Sequence, residues 1–121
     1  MTLVCAVAAS TRQAWYYDSG GESVRVDLLA PRGYFRELPS TVVWRANQTI
    51  AVLQFECHAR DGARLTHRRV AVDAVAGAFA LTNDERSAIA TCDSAWCQVI
   101  AIDSSGEWRG ESAPATLSRR D

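Results

Sequence analysis

Two histidines, four cysteines and fourteen carboxylates are the groups of this chain from which chemistry could be built. His58 directly follows Cys57. On a strand, consecutive side chains point to opposite faces, so these two cannot form a thiolate–imidazole pair. His67 stands in a basic run with Arg68 and Arg69 and reads as part of a solvated face. A serine or cysteine nucleophile needs a base within hydrogen-bond reach, and these two histidines are the only ones available. The carboxylates are scattered, and the pair Asp84-Glu85 suits the first turn of a helix better than shared acid–base work. Apart from Gly20-Gly21 the glycines stand singly in turns, so no phosphate-cradling loop is present. The expectation is a protein that is not an enzyme, with no catalytic residue, no cofactor and no metal.

The cysteines are Cys5, Cys57, Cys92 and Cys97. An even number invites a disulfide reading. The reading preferred here is small buried thiols in a reducing cytosol. Cys57 and Cys97 lie on two alternating runs that are neighbours in a sandwich, so they are expected to face each other, mostly reduced. Cys92 and Cys97 have the wrong spacing for a zinc knuckle, and there is no second close pair.

The other candidates are apolar. Trp15, Tyr16 and Tyr17 form a cluster in an otherwise polar loop over residues 10–22. Together with Trp108 they are hard to bury all at once. Trp and Tyr dominate contact hot spots, so these four are candidate interface anchors, or else they cover one open end of the fold. Leu3 and Val4 belong to the apolar segment 1–9 (MTLVCAVAA). It lacks a basic leader and has a short apolar core, so it reads as a strand or an arm able to pair with a neighbour, not as a signal peptide. Trp44 and Trp96 alternate with small apolar residues and are assigned to the core.

The elements that must hold these residues are mostly strands. Residues 23–30 alternate Val24, Val26 and Leu28 against Arg25 and Asp27, a period of two. A short strand over 41–45 is followed by a turn at Asn47. The sequence Asn47-Gln48-Thr49 also fits a glycosylation site, discounted for want of a secretion signal. A strand over 50–57 turns at Asp61-Gly62, where glycine permits a positive φ. A polar strip over 65–72 leads through a tight connection at 73–77 into 78–81. Thr82 or Asn83 caps a short helix over 83–89, anchored by Ile89. A last hairpin runs 95–103, turns at Ser104-Ser105-Gly106, and returns over 108–117. Val52, Phe55, Phe79, Trp96 and Val99 are the expected core. The divisions are an arm with an aromatic loop (1–22), a sandwich (23–118) and a polar tail (119–121). The fold class is all-β, an immunoglobulin-like or fibronectin III-like β-sandwich with one short helix.

At 121 residues the chain is one domain, able to bury a core without metal or disulfides. Its 48% hydrophobic and 22% charged residues are ordinary for a globular protein. A net charge of −1 favours neither nucleic acid nor an anionic membrane as partner. No apolar run approaches the ~18 residues that span a bilayer. All 13 basic residues are arginine, which with the many alanines is the composition of a GC-rich genome.

Several motifs resemble the Ig-like modules of tailed-phage virion proteins, in the pattern of the N-terminal domain of the baseplate upper protein. They are the turn Ala59-Arg60-Asp61-Gly62, the segment 73–81 with Gly77, the polar helix 82–89, and the hairpin 97–117 around Asp103-Ser104-Ser105-Gly106. The match covers about half of the chain. It departs near Cys97, where the family has an aromatic and this chain has Trp96 one place earlier, and the N-terminal portion matches poorly. A fibronectin type III module is similar through Trp44, Phe55 and residues 99–106, but lacks the corner tyrosine, whose region holds Ala95 and Cys97. The first resemblance implies a virion component (decoration, neck, tail or baseplate) assembled in the host cytoplasm, whose partners are other virion subunits or further copies of itself. The second implies an extracellular adhesion or receptor-binding module. Neither implies an enzyme.

Overall fold

A computed structural model describes residues 23–120. Its strands are β1 (Val26–Ala30), β2 (Gly33–Phe35), β3 (Thr41–Ala59), β4 (Arg64–Ala80), β5 (Ser94–Ile102), β6 (Trp108–Glu111) and β7 (Ala115–Arg119), with one helix, α1 (Asn83–Ala90), between β4 and β5. The described residues thus form an all-β sandwich with one short helix, as the period-two runs and turn residues predict.

A long folded hairpin makes the two layers. β3 and β4, 19 and 17 residues long, pair antiparallel around the turn at Asp61-Gly62. Gly62 takes φ +96° there, its amide donates to the Ala59 carbonyl at 2.8 Å, and the Asp61 carboxylate accepts from the Ala63 amide at 3.0 Å. The first half of β3 pairs with β1, and its second half, from Val52 on, pairs with β5. Between these halves the β3–β4 register slips twice, from Arg45 to Ile50 and again to Val52. Opposite the slip, Asp73 of β4 has φ +42°. Arg68 proves that the hairpin bends sharply here. It pairs with Phe55, yet its guanidinium reaches the carbonyl of Ala80, 12 residues further on, at 2.9 Å. In a straight strand that separation spans ~40 Å. The early part of β4 therefore lies in one layer and its end in the other, facing each other across the core.

One layer holds β1, the start of β3 and the end of β4. The other holds the remaining halves of β3 and β4 with β5, β7 and β2, and β2 runs parallel to β7. β1 and β2 belong to different layers but are separated only by Pro31 and Arg32, which curls the sheet on itself. The core between the layers contains Val26, Leu28, Val42 and Trp44 from one side and Leu53, Phe55, Cys57, Cys97, Val99 and Leu117 from the other.

Several expectations are corrected. Residues 41–45 and 50–57 are one strand. Asn47 lies inside it and is not a turn: its amide donates to the Arg25 carbonyl (3.0 Å), its Oδ1 accepts from the Arg25 amide (2.8 Å), and its Nδ2 donates to the Ser23 carbonyl (2.8 Å). The side chain completes a ladder that the backbone alone interrupts. The connection expected at 73–77 is the corner of β4, still within the strand. The return strand 108–117 is broken into β6 and β7, both on the edge of β5 opposite β3. Ser112 bridges the break, its amide donating to the Val99 carbonyl at 2.8 Å and its hydroxyl accepting from the Val99 amide at 2.9 Å. The tail is shorter than expected, since the Arg119 amide donates to Asp93 and the Arg120 amide to Phe35, each at 2.8 Å.

Phe55 and Val99 are fully buried, as expected. Phe79 is half-buried against the core. Val52 and Trp96 are not core residues. The slip in β3 resets the phase of its side chains, so Leu53, Phe55 and Cys57 point inward, and Val52 falls on the other face. Trp96, paired with His58, shares that outer face.

Candidate binding surfaces

The residues singled out in the sequence divide into two groups. Leu3, Val4, Trp15, Tyr16 and Tyr17 lie outside the described residues, as does Cys5. Trp108 begins β6, half-buried, and pairs with Ile102. Cys92 is a half-buried free thiol just beyond α1. Cys57 and Cys97 are directly opposed on β3 and β5, as expected, but they are joined in a disulfide, which corrects the expectation of reduced thiols.

His58 does not meet a nucleophile. Its Nε2 donates to Glu56 Oε1 at 2.9 Å, and its Nδ1 lies 3.3 Å from the Gly62 carbonyl. The ring stacks on Trp96 with centroids 4.0 Å apart and planes within 5°. Glu56 accepts a second hydrogen bond from Gln54 Nε2, and Gln54 Oε1 accepts from Arg69 Nε at 2.9 Å. This polar chain crosses from β4 to the hairpin turn on the outer face of its layer. Both histidine nitrogens are engaged and Cys57 is bonded to Cys97 within the core, so no proton relay to a serine, threonine or cysteine exists among the described residues. Nor do three His, Cys, Asp or Glu side chains converge as metal ligands among them. No helix of the described residues is long and apolar enough to cross a membrane.

A second polar cluster closes one side of the sandwich. Thr82 caps α1 in a capping box: its hydroxyl accepts from the Glu85 amide at 3.1 Å, and Glu85 Oε1 accepts from the Thr82 amide at 2.8 Å. The same carboxylate, 3% exposed as a residue, is gripped by Arg68 through Nε at 2.9 Å and Nη2 at 3.0 Å. The guanidinium lies 5.0 Å above the Phe79 ring, which meets Phe55 edge to face. Glu85→Ala removes one acceptor from the cap and the partner of a half-buried arginine. It is expected to cost about 2–3 kcal/mol, against about 1 for Thr82→Ala. Urea midpoints of the two variants test this, and equal losses would show that the arginine contact contributes nothing.

Asp103, which opens the expected turn Asp103-Ser104-Ser105-Gly106, shapes the connection between β5 and β6. The Ser105 hydroxyl donates to Oδ1 at 2.6 Å, and the amides of Glu107 and Ser105 donate at 2.9 Å each. These hydrogen bonds, the hydroxyl's first, hold its carboxyl below the usual carboxylate range, with Arg109 adding a smaller attraction.

Two surfaces remain open. The outer edge of β4 has no partner strand among the described residues. Arg64, His67, Arg68 and Arg69 guard its first half and Asp73 its corner, but the run from Ala74 to Ala80 carries no charge and Val75 is 51% exposed. Tyr34 of β2 is 72% exposed beneath Arg120.

No protein-family model matches the chain, and no curated protein matches it. Among solved structures it is similar to the crystal structure of CopC from Methylosinus trichosporium OB3b, at 11% identity and a TM-score of 0.49, over 78% of this chain and 93% of that one. Neither a ligand nor a residue role is carried over from so distant a likeness.

Proposed function

We propose that the protein is a non-enzymatic structural or binding sandwich that works through protein–protein contacts, with the end of β4 as a contact surface. The observation that carries this reading is the uncharged run Ala74–Ala80, exposed over residues 75–78, on a strand whose outer edge has no partner strand among the described residues. Unpaired N–H and C=O groups in a row are a template for a strand from another chain. A virion subunit pairing with other subunits or with copies of itself is the setting that the sequence resemblance suggests.

Val75 has no partner in the β3–β4 register and is exposed, so Val75→Lys is tolerated by the fold, within about 0.5 kcal/mol, while placing a charge on the edge. In its native source the wild-type chain is expected to sediment in a larger assembly, and the Val75→Lys chain alone. If both behave alike, the edge is not the contact. A second reading, an extracellular binding module, is favoured by the Cys57–Cys97 disulfide, since such bonds persist in oxidising compartments.

A further inference from the structure

The free edge of β4 carries a pattern of side-chain sizes that is the same read in either direction. The run is Ala74-Val75-Ala76-Gly77-Ala78-Phe79-Ala80, with Gly77 at its centre and the large side chains of Val75 and Phe79 equally far from it. Hydrogen bonding fixes the phase of the backbone. The Leu81 amide, just past β4, donates to the Ser40 carbonyl at 2.9 Å, in step with the pairing of Ala80 and Thr41. In an antiparallel ladder, pairs that exchange hydrogen bonds alternate with pairs that do not. Leu81, Phe79 and Gly77 therefore turn their amides and carbonyls to β3, and Ala80, Ala78 and Ala76 turn theirs outward. The Ala80 carbonyl agrees with this phase, since it accepts from Arg68 Nη2 at 2.9 Å.

The side chains alternate in the same way. A Cβ on Gly77 would meet Trp44, 3.4 Å from its Nε1, so this position faces the core. Phe79 packs against the core on that side, and Val75 continues the row while 51% exposed. Ala76 and Ala78 are exposed on the opposite face. Neither a charge nor a bulky outer side chain stands in the way of a second strand. The ends of the run are also set. Arg68 closes it at Ala80, and at Asp73, with φ +42°, β4 turns into the other layer and takes Arg64 and Arg69 with it.

We propose that the occupant of this edge is a second copy of the same chain, its β4 antiparallel to the first about a two-fold axis through Gly77. This rests on the reading of the β4 edge as a contact surface and names its partner. A two-fold contact is self-complementary, each residue meeting its counterpart across the centre of the run. Ala76 then exchanges backbone hydrogen bonds with the partner's Ala78. Val75 lies opposite the partner's Phe79, a branched–aromatic pair of the kind that stabilises sheets, and the axis makes this pair twice. Gly77 meets the partner's Gly77 at a position that exchanges no hydrogen bonds, where paired strands come closest. A strand of another protein must supply this complement independently, whereas the chain carries it already. One strand pair is smaller than a standard interface, so the dimer is weak, with a dissociation constant on the order of 0.1 mM.

The test is sedimentation equilibrium of the full chain over rising concentration. The wild type is expected to pass from monomer to dimer. In Ala76→Lys/Ala78→Lys each new lysine faces a lysine of the partner, and association is expected to weaken about tenfold or more. In Ala76→Lys/Ala78→Asp each lysine faces an aspartate, and association is expected to match the wild type or exceed it a few-fold. A parallel pairing sets lysine against lysine in the second variant as well, so an equal loss in both variants overturns the two-fold register. Undiminished association of the first variant overturns it too, because the dimer then forms elsewhere. A wild type that stays monomeric up to about 1 mM overturns the second copy as occupant. That result leaves the edge open to a different chain, which the comparison of Val75→Lys with wild type in the native source decides separately. Both substituted positions are exposed, and unfolding midpoints near the wild-type value verify that the monomer is intact.

Discussion

Reducing the Cys57–Cys97 bond is expected to lower the stability of the domain by about 4 kcal/mol. The bond closes a loop across a sequence separation of 40, and the chain-entropy model gives that loss for a ring of this size. The native state changes little on reduction. Both cysteines are fully buried, and the β3–β4 and β3–β5 ladders hold the strands in register without the bond. The effect therefore resides in the unfolded chain, which gains freedom when the loop opens. Against a total of roughly 5–15 kcal/mol for a domain, the loss is large. Guanidinium unfolding with and without reductant measures it, with alkylation and mass spectrometry confirming which cysteines have been freed. Equal midpoints for fully oxidised and fully reduced protein would refute the expectation. The same alkylation on protein from its native source bears on setting, because a largely reduced pair there would withdraw the support for the extracellular reading.

Phe55→Ala is expected to cost about 3–5 kcal/mol, and Phe79→Ala distinctly less, about 1–3. Both rings touch, edge to face at 6.2 Å between centroids, but their surroundings differ. Phe55 is wholly enclosed between the layers, beside Leu53 and Cys57. Phe79 is half-buried, near the open side that Arg68 covers. Truncating the first leaves a cavity with no route for solvent or neighbours to fill it, whereas the second leaves a gap that the arginine stem can partly occupy. Denaturant midpoints order the two. A larger loss for Phe79 would mean that the folded hairpin, not the β3–β5 ladder, carries the core.

How much of this was legible beforehand depends on the range of the interaction. The helix could be read to within a residue, because its start is made by neighbours: Thr82 caps it and Glu85 closes the box three residues later. The hairpin turn at Gly62 and the β5–β6 turn at Gly106 were legible for the same reason, since both glycines adopt a positive φ that their positions demand. Alternation identified the strands, and adjacency of Cys57 and Cys97 followed from it.

What escaped the sequence arose where distant segments decide the outcome. Asn47 looks like a turn residue, but its partners are Arg25 and Ser23 on another strand, and with them it continues a strand instead of ending it. Asp73 and Gly77 look like a connection and are a corner, because β3 supplies the pairing that keeps the chain extended on both sides of it. Val52 was placed in the core together with Phe55, but the two stand three residues apart on a run in unbroken register with β5, so they face opposite sides, and the closing of the sandwich decides which is inside. Trp96 was misassigned because its face is set by its pairing with His58 on β3. Arg68 and Glu85 meet 17 residues apart only because the hairpin folds over. The sequence by itself determined the class of the fold and its local signals, which depend on neighbours along the chain. Tertiary structure decided which strands are continuous, which face each side chain takes, which charges meet, and where the open edge lies, because each of these requires two segments to be brought together by the closing of the sandwich.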